Sequence, residues 1–278
     1  MENLSKPILI PTDFTVVAQY AVEAAARFAR IVNAEIVLVH VAKKSSDIVD
    51  ATAKVSVEAA NFTKEYGVKV SGIVREGSIF ITIGATVEEI GAGIVFLGTH
   101  GVKGMQKVTG SWCLKVTTTS NVPVVVVQGH SKDIQRVVFP VDYKKENREK
   151  IGWLNYVAHL FDPNVYIFRD KVYKDKKLEQ NLRTNLVFTQ KFLNSKKIFY
   201  DVVVAEGKES FVKETLNYAE RVNADLIIIT TTKDISFANY LFGVKEETVI
   251  DNAANIPVMC INPKKSKVSG GFSAMGGA

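Results

Sequence analysis

The stretch Ile8-Leu9-Ile10-Pro11-Thr12-Asp13 returns as Val137-Val138-Phe139-Pro140-Val141-Asp142, Glu76-Gly77 returns as Glu206-Gly207, and Val122-Pro123-Val124 returns as Ile256-Pro257-Val258. The offsets are 129, 130 and 134 residues, close to constant across half the chain. A repeat this long is no turn of a solenoid; it marks a duplicated domain. With 278 residues, 47% of them hydrophobic, the chain can fill two cores of roughly 130 residues each. The expected organisation is a first domain over residues 1–130, a second over 131–263, and a linker at Gly129-His130-Ser131-Lys132. Residues 264–278 hold three lysines and four glycines with few sizeable apolar side chains, and are expected to stay disordered.

Within each half, short apolar runs alternate with segments of helical period, which is the signature of an α/β fold with a parallel sheet covered on both faces. The first half has runs at Ile8–Pro11, Ile36–Val41, Val68–Val74, Ile94–Leu97 and Val122–Val127. Between the first two, Ala18, Ala21, Val22, Ala25, Phe28, Ala29 and Val32 recur at three- and four-residue steps, as a helix needs to lay one stripe on a sheet. Thr12, Asp13 and Thr15 supply cap candidates before it. Further helices are expected near Ile48–Tyr66, Ile79–Ile90 and Ser111–Thr119. The second half repeats the order with strands at Arg136–Phe139, Val165–Phe168, Phe199–Val204, Leu226–Ile229 and Val258–Ile261. Its helices are expected at Arg148–Phe161, Leu178–Leu193, Phe211–Val222 and near Glu246–Asn252. Two doubly wound, Rossmann-like sheets in tandem, each with strand order 3-2-1-4-5, are therefore expected.

Composition narrows the function. No apolar run approaches the roughly 20 residues of a membrane span, and Met1-Glu2-Asn3-Leu4 lacks the start of a secretory signal, so a soluble cytoplasmic protein is expected. Cys113 and Cys260 have neither ligand nor framework spacing and read as packed thiols. The formal charge of +6 falls mostly on the second half, where Lys171, Lys174, Lys176 and Lys177 read as a solvated helix face. They lack the interleaved aromatics of a nucleic-acid platform. Walker, nucleophile-elbow and His-Glu-x-x-His motifs are absent from the sequence, and no metal cluster is visible in it. His40 and His100 fall at strand ends, where a histidine bonding backbone is far commoner than a catalytic one.

The chemistry that remains sits at strand ends. In an open parallel sheet, ligands lie beyond the carboxyl ends of the strands that flank the reversal of strand order, here the first and fourth. Pro11-Thr12-Asp13 follows the first, and Gly98-Thr99-His100-Gly101 follows the fourth. Gly101 and Gly104 allow close backbone approach, and Gly110-Ser111 opens a helix whose free amides favour an anion. Each residue also has a plain role: Asp13 and Ser111 as helix caps, Gly98 as a strand end. Their conjunction at neighbouring strand ends is what points to a phosphate ligand. In the second half, Thr230-Thr231-Thr232-Lys233 stands where these glycines were, and Val244 stands where Ser111 was.

These residues carry a resemblance. Pro-Thr-Asp after the first strand, Leu-Val-His-Val at Leu38 to Val41, Gly-Thr-His-Gly after the fourth, and Gly110-Ser111 followed by Val122-Pro123-Val124 resemble the universal stress protein family, in a tandem form that covers both halves. The resemblance implies ATP or another adenine nucleotide, with Mg2+, in the first domain. Its adenosine would lie near Pro11, Thr12, Asp13 and Val41, with Asp13 on the ribose hydroxyls. Its phosphates would lie along Gly98, Thr99, Gly101, Gly110, Ser111 and the backbone of Trp112. One departure is plain: eight residues, Val102 to Thr109, separate the second glycine from the Gly-Ser pair where the family's motif has nine.

The resulting expectation is a stress-response protein whose first domain binds or senses an adenine nucleotide, with the second as structural or regulatory partner. The two halves would dock as a pseudo-twofold pair through the last strand of each, with a homodimer as a further assembly and no membrane or nucleic-acid partner. A nucleotide-independent scaffold is the alternative. A slow ATP hydrolase has the least support, because no positioned base or metal carboxylate pair is evident.

Overall fold

The computed structural model describes residues 5–99, 113, 115–144, 148, 150–231 and 255–263. The chain divides into two compact units, Met1–Ser131 together with Lys264–Ala278, and Lys132–Pro263. In the first, β1 (Ile8–Pro11), α1 (Val16–Val32), β2 (Ile36–Ala42), α2 (Ile48–Tyr66), β3 (Val70–Glu76), α3 (Ile79–Glu89) and β4 (Ile94–Gly98) follow in order. A helix α4, described over residues 115–119, and β5 (Val124–Val127) complete it. The strand order is β3-β2-β1-β4-β5 and the neighbouring strands within it pair parallel. The second unit runs β6 (Arg136–Val141), α5 (Ile151–Phe161), β7 (Asn164–Arg169), α6 (Lys176–Ser195), β8 (Tyr200–Val204), α7 (Phe211–Arg221), β9 (Leu226–Thr230) and β10 (Val258–Ile261). Its order, β8-β7-β6-β9-β10, is the same winding. Both units are doubly wound parallel α/β sheets, as the alternation of strand-length and helical runs predicts.

The helix α1 buries the stripe Ala18, Ala21, Val22, Ala25, Phe28, Ala29 and Val32 read from its period, and it packs on β4 as well as on β1. It ends at Asn33, which takes the left-handed conformation (φ 51°) and returns its N–H to Ala29 O. The close approach of α1 to β4 explains Gly98. A Cβ there would stand 2.1 Å from Val17 O and 2.4 Å from the Val17 carbonyl carbon, inside any tolerable contact with backbone. The carboxyl end of β4 therefore requires glycine for packing alone, before any ligand is considered. The lysines read as one helix face divide: Lys171 and Lys174 lie in the exposed loop ahead of α6, and only Lys176 and Lys177 are helical. Asp175 explains the boundary, because its carboxylate accepts from the Lys177 and Leu178 amides and starts the helix after Lys174. Both cysteines are free and buried, as expected of packed thiols. The expected helix near Glu246–Asn252 and the tail 264–278 lie outside the described residues.

Gly98→Ala is expected to destabilise the first unit by about 3 kcal/mol in urea unfolding, since helix and strand backbones must separate to admit one methyl. Gly84→Ala, inside α3 with nothing within 4 Å of the added carbon, is expected to be neutral or to stabilise by about 0.5–1 kcal/mol.

Candidate functional site

The site is set by how β1 meets its two neighbours. Against β2 it pairs through its whole length, Ile8↔Ile36 to Pro11↔Val39, but against β4 the register holds only for Ile8↔Ile94 and Leu9↔Val95. Beyond that point the two strand ends part at the reversal of strand order, where ligands enter folds of this kind. Pro11 and Thr12 line one side, both buried, and Gly98 and Thr99 the other. Thr12 N donates to Val39 O at 2.9 Å and His40 Nδ1 donates to Thr12 O at 2.9 Å, so the end of β2, with Val41 after it, is tied to the same corner. His40 is thus a strand-end histidine holding backbone. Pro11, Thr12 and Asp13 end and follow β1, Val41 stands in β2 one residue past His40, and Gly98 and Thr99 end and follow β4; Gly101, Gly110, Ser111 and Trp112 lie outside the described residues.

The turn after β1 is held tightly. Asp13 Oδ1 accepts from the Thr15 amide at 3.1 Å and from its hydroxyl at 2.5 Å. Thr15 is the N-cap of α1 and makes no side-chain cap bond of its own, so Asp13 orders the turn that delivers the helix rather than capping it directly. Between them Phe14 adopts φ 64°, a left-handed backbone for a bulky residue, and its ring stacks on His40 at 4.6 Å. Such a conformation costs about 1–3 kcal/mol and persists where surrounding contacts over-determine it. Thr12 Oγ1 accepts from the Phe14 amide at 3.1 Å and donates to Glu58 Oε2 on α2 at 3.1 Å. Burial pushes the Glu58 carboxyl up, the Thr12 hydroxyl opposes that, Asp13 adds to it and His40 counters it. Sequence reasoning missed Glu58, which stands 46 residues from its partner inside an ordinary amphipathic helix; it also missed the strain at Phe14.

Thr99 is 2% exposed, and its hydroxyl has no hydrogen-bond partner among the described residues. Its amide continues the sheet to Val127 O at 2.9 Å. The corresponding Thr231 of the second unit makes the same backbone bond to Ile261 O at 2.8 Å, and its hydroxyl also reaches Ile261 O at 3.2 Å. A buried hydroxyl without a partner is costly, and the first unit carries that cost where the second does not.

In the second unit the equivalent corner is filled by its own side chains. Lys150, fully buried ahead of α5, turns its ammonium onto Pro140 O and over the Phe139 ring at 4.5 Å. Asp142 Oδ1 accepts from the Lys144 amide at 2.8 Å, and Asn185 of α6 donates to the Asp142 and Lys144 carbonyls at 2.9 and 2.8 Å. Tyr173 donates its hydroxyl to Asp170 Oδ2 at the end of β7, and burial pushes the Asp170 carboxyl up. Burial pushes the Lys150 ammonium down to about 7, against the opposing pull of Asp142. Lys150 had no motif to announce it. Among the described residues no group of three or more His, Cys, Asp or Glu is placed to hold a metal ion, and no helix is long and apolar enough to cross a membrane.

The Lys150 geometry has a consequence for stability. Its folded pKa lies below its ordinary 10.5, so between about pH 7 and that value the unfolded chain binds more protons and stability rises with pH. Below about 7 both states are protonated and this residue adds no slope. Wild type minus Lys150→Met is expected to show a rise of about 1–3 kcal/mol in unfolding free energy between about pH 7 and 9, measured by urea titration at each pH. A flat difference would mean the ammonium is not buried in solution.

The first unit matches the universal stress protein family over residues 5–128. A universal stress protein of Methanocaldococcus jannaschii is 28% identical over 148 residues, which is 48% of this chain and 87% of that protein. The solved structure of a universal stress protein from Archaeoglobus fulgidus shares the fold with a TM-score of 0.70 at 19% identity, covering 93% of this chain and 99% of that one. A structure from Pseudomonas aeruginosa UCBPP-PA14 matches with a TM-score of 0.60 at 14% identity over 93% of each chain. The first unit is therefore similar to the universal stress protein family over nearly its whole length, and the second unit repeats the fold.

Proposed function

We propose that the first unit binds one adenine nucleotide, ATP or a relative of it, between the ends of β1 and β4, and that the second unit serves it as a structural or regulatory partner without a nucleotide of its own. The observation that carries this reading is the buried Thr99 hydroxyl at the end of β4, without a partner among the described residues, set against the satisfied hydroxyl of Thr231. A phosphate oxygen would meet it. Asp13 keeps its Oδ1 on Thr15 and would use Oδ2 for a ribose hydroxyl, with Pro11, Thr12 and Val41 beside the base. Gly98, Gly101, Gly110, Ser111 and the Trp112 amide are the remaining phosphate candidates, and Mg2+ would arrive with the triphosphate. The second unit's corner is closed by Lys150, Asn185 and the Tyr173–Asp170 pair, which supports one site per chain. The binding reading is preferred to a hydrolase because His40, the histidine at this corner among the described residues, is bonded to Thr12 O.

Calorimetry with ATP and Mg2+ is expected to give a stoichiometry near one. Asp13→Ala should weaken binding by about 1.5–3 kcal/mol through loss of a charged hydrogen bond, and Thr99→Val by about 1 kcal/mol through loss of a neutral one. Asp142→Ala should leave affinity unchanged. Equal losses from Asp13→Ala and Asp142→Ala would overturn the asymmetry, and no binding at all would favour a nucleotide-independent scaffold.

A further inference from the structure

The turn between β1 and α1 depends on how one hydroxyl is rotated. Thr12 Oγ1 has one proton to give and lone pairs with which to accept. It gives the proton to Glu58 Oε2 at 3.1 Å, which leaves its lone pairs for the Phe14 amide, also at 3.1 Å. The carbonyl of the same residue is held by His40 Nδ1 at 2.9 Å, and the Phe14 ring stacks on His40. Thr12 is thus fixed at its hydroxyl and at its carbonyl, and the left-handed Phe14 is held from it. Asp13 stands between the two in the chain. Whatever lets the Thr12 hydroxyl turn away releases the Phe14 amide, lets the strained backbone relax and moves Asp13.

The group that sets this rotation comes from elsewhere in the fold. The helix α2 packs on β3 and β2. Between it and α1 opens a groove of about 580 Å³, lined by Gln19 of α1 and by Lys54, Glu58, Asn61, Phe62 and Glu65 of α2. Glu58 therefore bonds Thr12 and also lines an open groove, half-buried yet within reach of solvent protons. The titratable groups around it are Asp13 from the turn, His40 from β2, and Lys54 and Glu65 from its own helix, while α1 contributes the neutral Gln19. Burial raises its carboxyl above the ordinary 4.5, so it changes charge nearer to neutrality than a surface glutamate does.

We propose that Glu58 is a positioning residue for the nucleotide site: ionised, it locks the Thr12 hydroxyl onto the Phe14 amide, and the turn held in this way presents Asp13 to the ribose. This rests on the reading of the first unit as a nucleotide-binding unit. A ligand sees only the chains whose turn is formed, so its apparent affinity falls with that fraction. Hydrogen bonds to a charged acceptor are stronger than those to a neutral one, enough here for about a fivefold change. Charge repulsion would act in the opposite sense, since removing a carboxylate should favour a polyanion. The phosphate candidates Gly98 and Thr99 end and follow β4, whereas Glu58 is bonded to the residue after β1, so positioning is the larger effect and decides the sign. Binding then favours the ionised carboxyl. Its contribution is complete at pH well above the Glu58 range and is lost as pH falls through that range, which lies above 4.5.

The test is calorimetry with ATP and Mg2+ on the full chain, each variant taken as a ratio to wild type at the same pH so that protonation of the ligand itself cancels. At about pH 8, Glu58→Gln, which keeps an acceptor but no charge, is expected to weaken binding about fivefold, and Glu58→Ala about tenfold. At about pH 5 the Glu58→Gln ratio should shrink to within about twofold, a change that a merely structural role would not produce. In a Thr12→Val background Glu58→Gln should cost nothing further at either pH, because its effect passes through that hydroxyl. Without nucleotide, the Phe14 amide should exchange with solvent about fivefold faster in Glu58→Gln at about pH 8. Binding that is unchanged or tighter in Glu58→Gln, a ratio that does not move with pH, a cost that survives in Thr12→Val, or an unaltered Phe14 exchange rate would each overturn this role and leave the nucleotide site standing. Failure of the wild type to bind ATP would overturn both.

Discussion

Every feature of the first unit's site follows from the reversal of winding at β1. Parallel neighbours require a crossover, the crossover is right-handed, and so the helices change faces where the strand order turns back. In such a winding no connection has to cross the carboxyl end at that point. The strands there are free to part, and β1 and β4 keep only two residue pairs while β1 and β2 keep four. The same shortening recurs in the second unit, where β6 pairs with β9 only at Val137 and Val138 but with β7 over six positions. A crevice is thus built into both units by topology, whatever its lining.

The lining then decides which crevice stays available. The first unit spends its polar groups on its own turn, with Asp13 on Thr15, Thr12 on Phe14 and Glu58, and His40 on Thr12 O, and among the described residues still leaves the Thr99 hydroxyl without a partner. The second unit satisfies Thr231 and brings a buried ammonium to the carbonyl of Pro140. The second corner thus sets a buried lysine on a backbone carbonyl where the first holds a buried hydroxyl without a partner among the described residues. The outer edges diverge by an equally small change. Glycine at 72 admits α2 onto β3, whereas Val202 stands at that place in β8.

Much of this was legible in the sequence, for physical reasons. Strand-length apolar runs and the α1 stripe are read directly from period, because a helix on a sheet has one face to bury and a doubly covered parallel strand has two. The backbone role of His40 and the burial of both cysteines were legible as well. Boundaries drifted where local chemistry decided them. The second sheet's first helix begins at Ile151 and not Arg148, and β3 begins at Val70 and not Val68. What stayed hidden was long-range: Glu58 meeting Thr12, Lys150 folding back on Pro140, and the left-handed Phe14. None of these has a local pattern, since each is fixed by a contact that only the assembled sheet creates.

Gly98 shows where a motif can mislead. A glycine at the end of β4 suggests a backbone kept bare for a phosphate, yet the Val17 carbonyl already occupies the space a side chain would take. Packing alone would keep this glycine in a protein that binds nothing. Thr99 is different, because no packing or sheet bond in the described residues uses its buried hydroxyl, and Thr231 shows that the fold can satisfy one at that place. The weight of a binding argument therefore moves from the glycine to the residue after it: a group the fold already needs is silent about ligands, and a group the fold leaves unsatisfied is not.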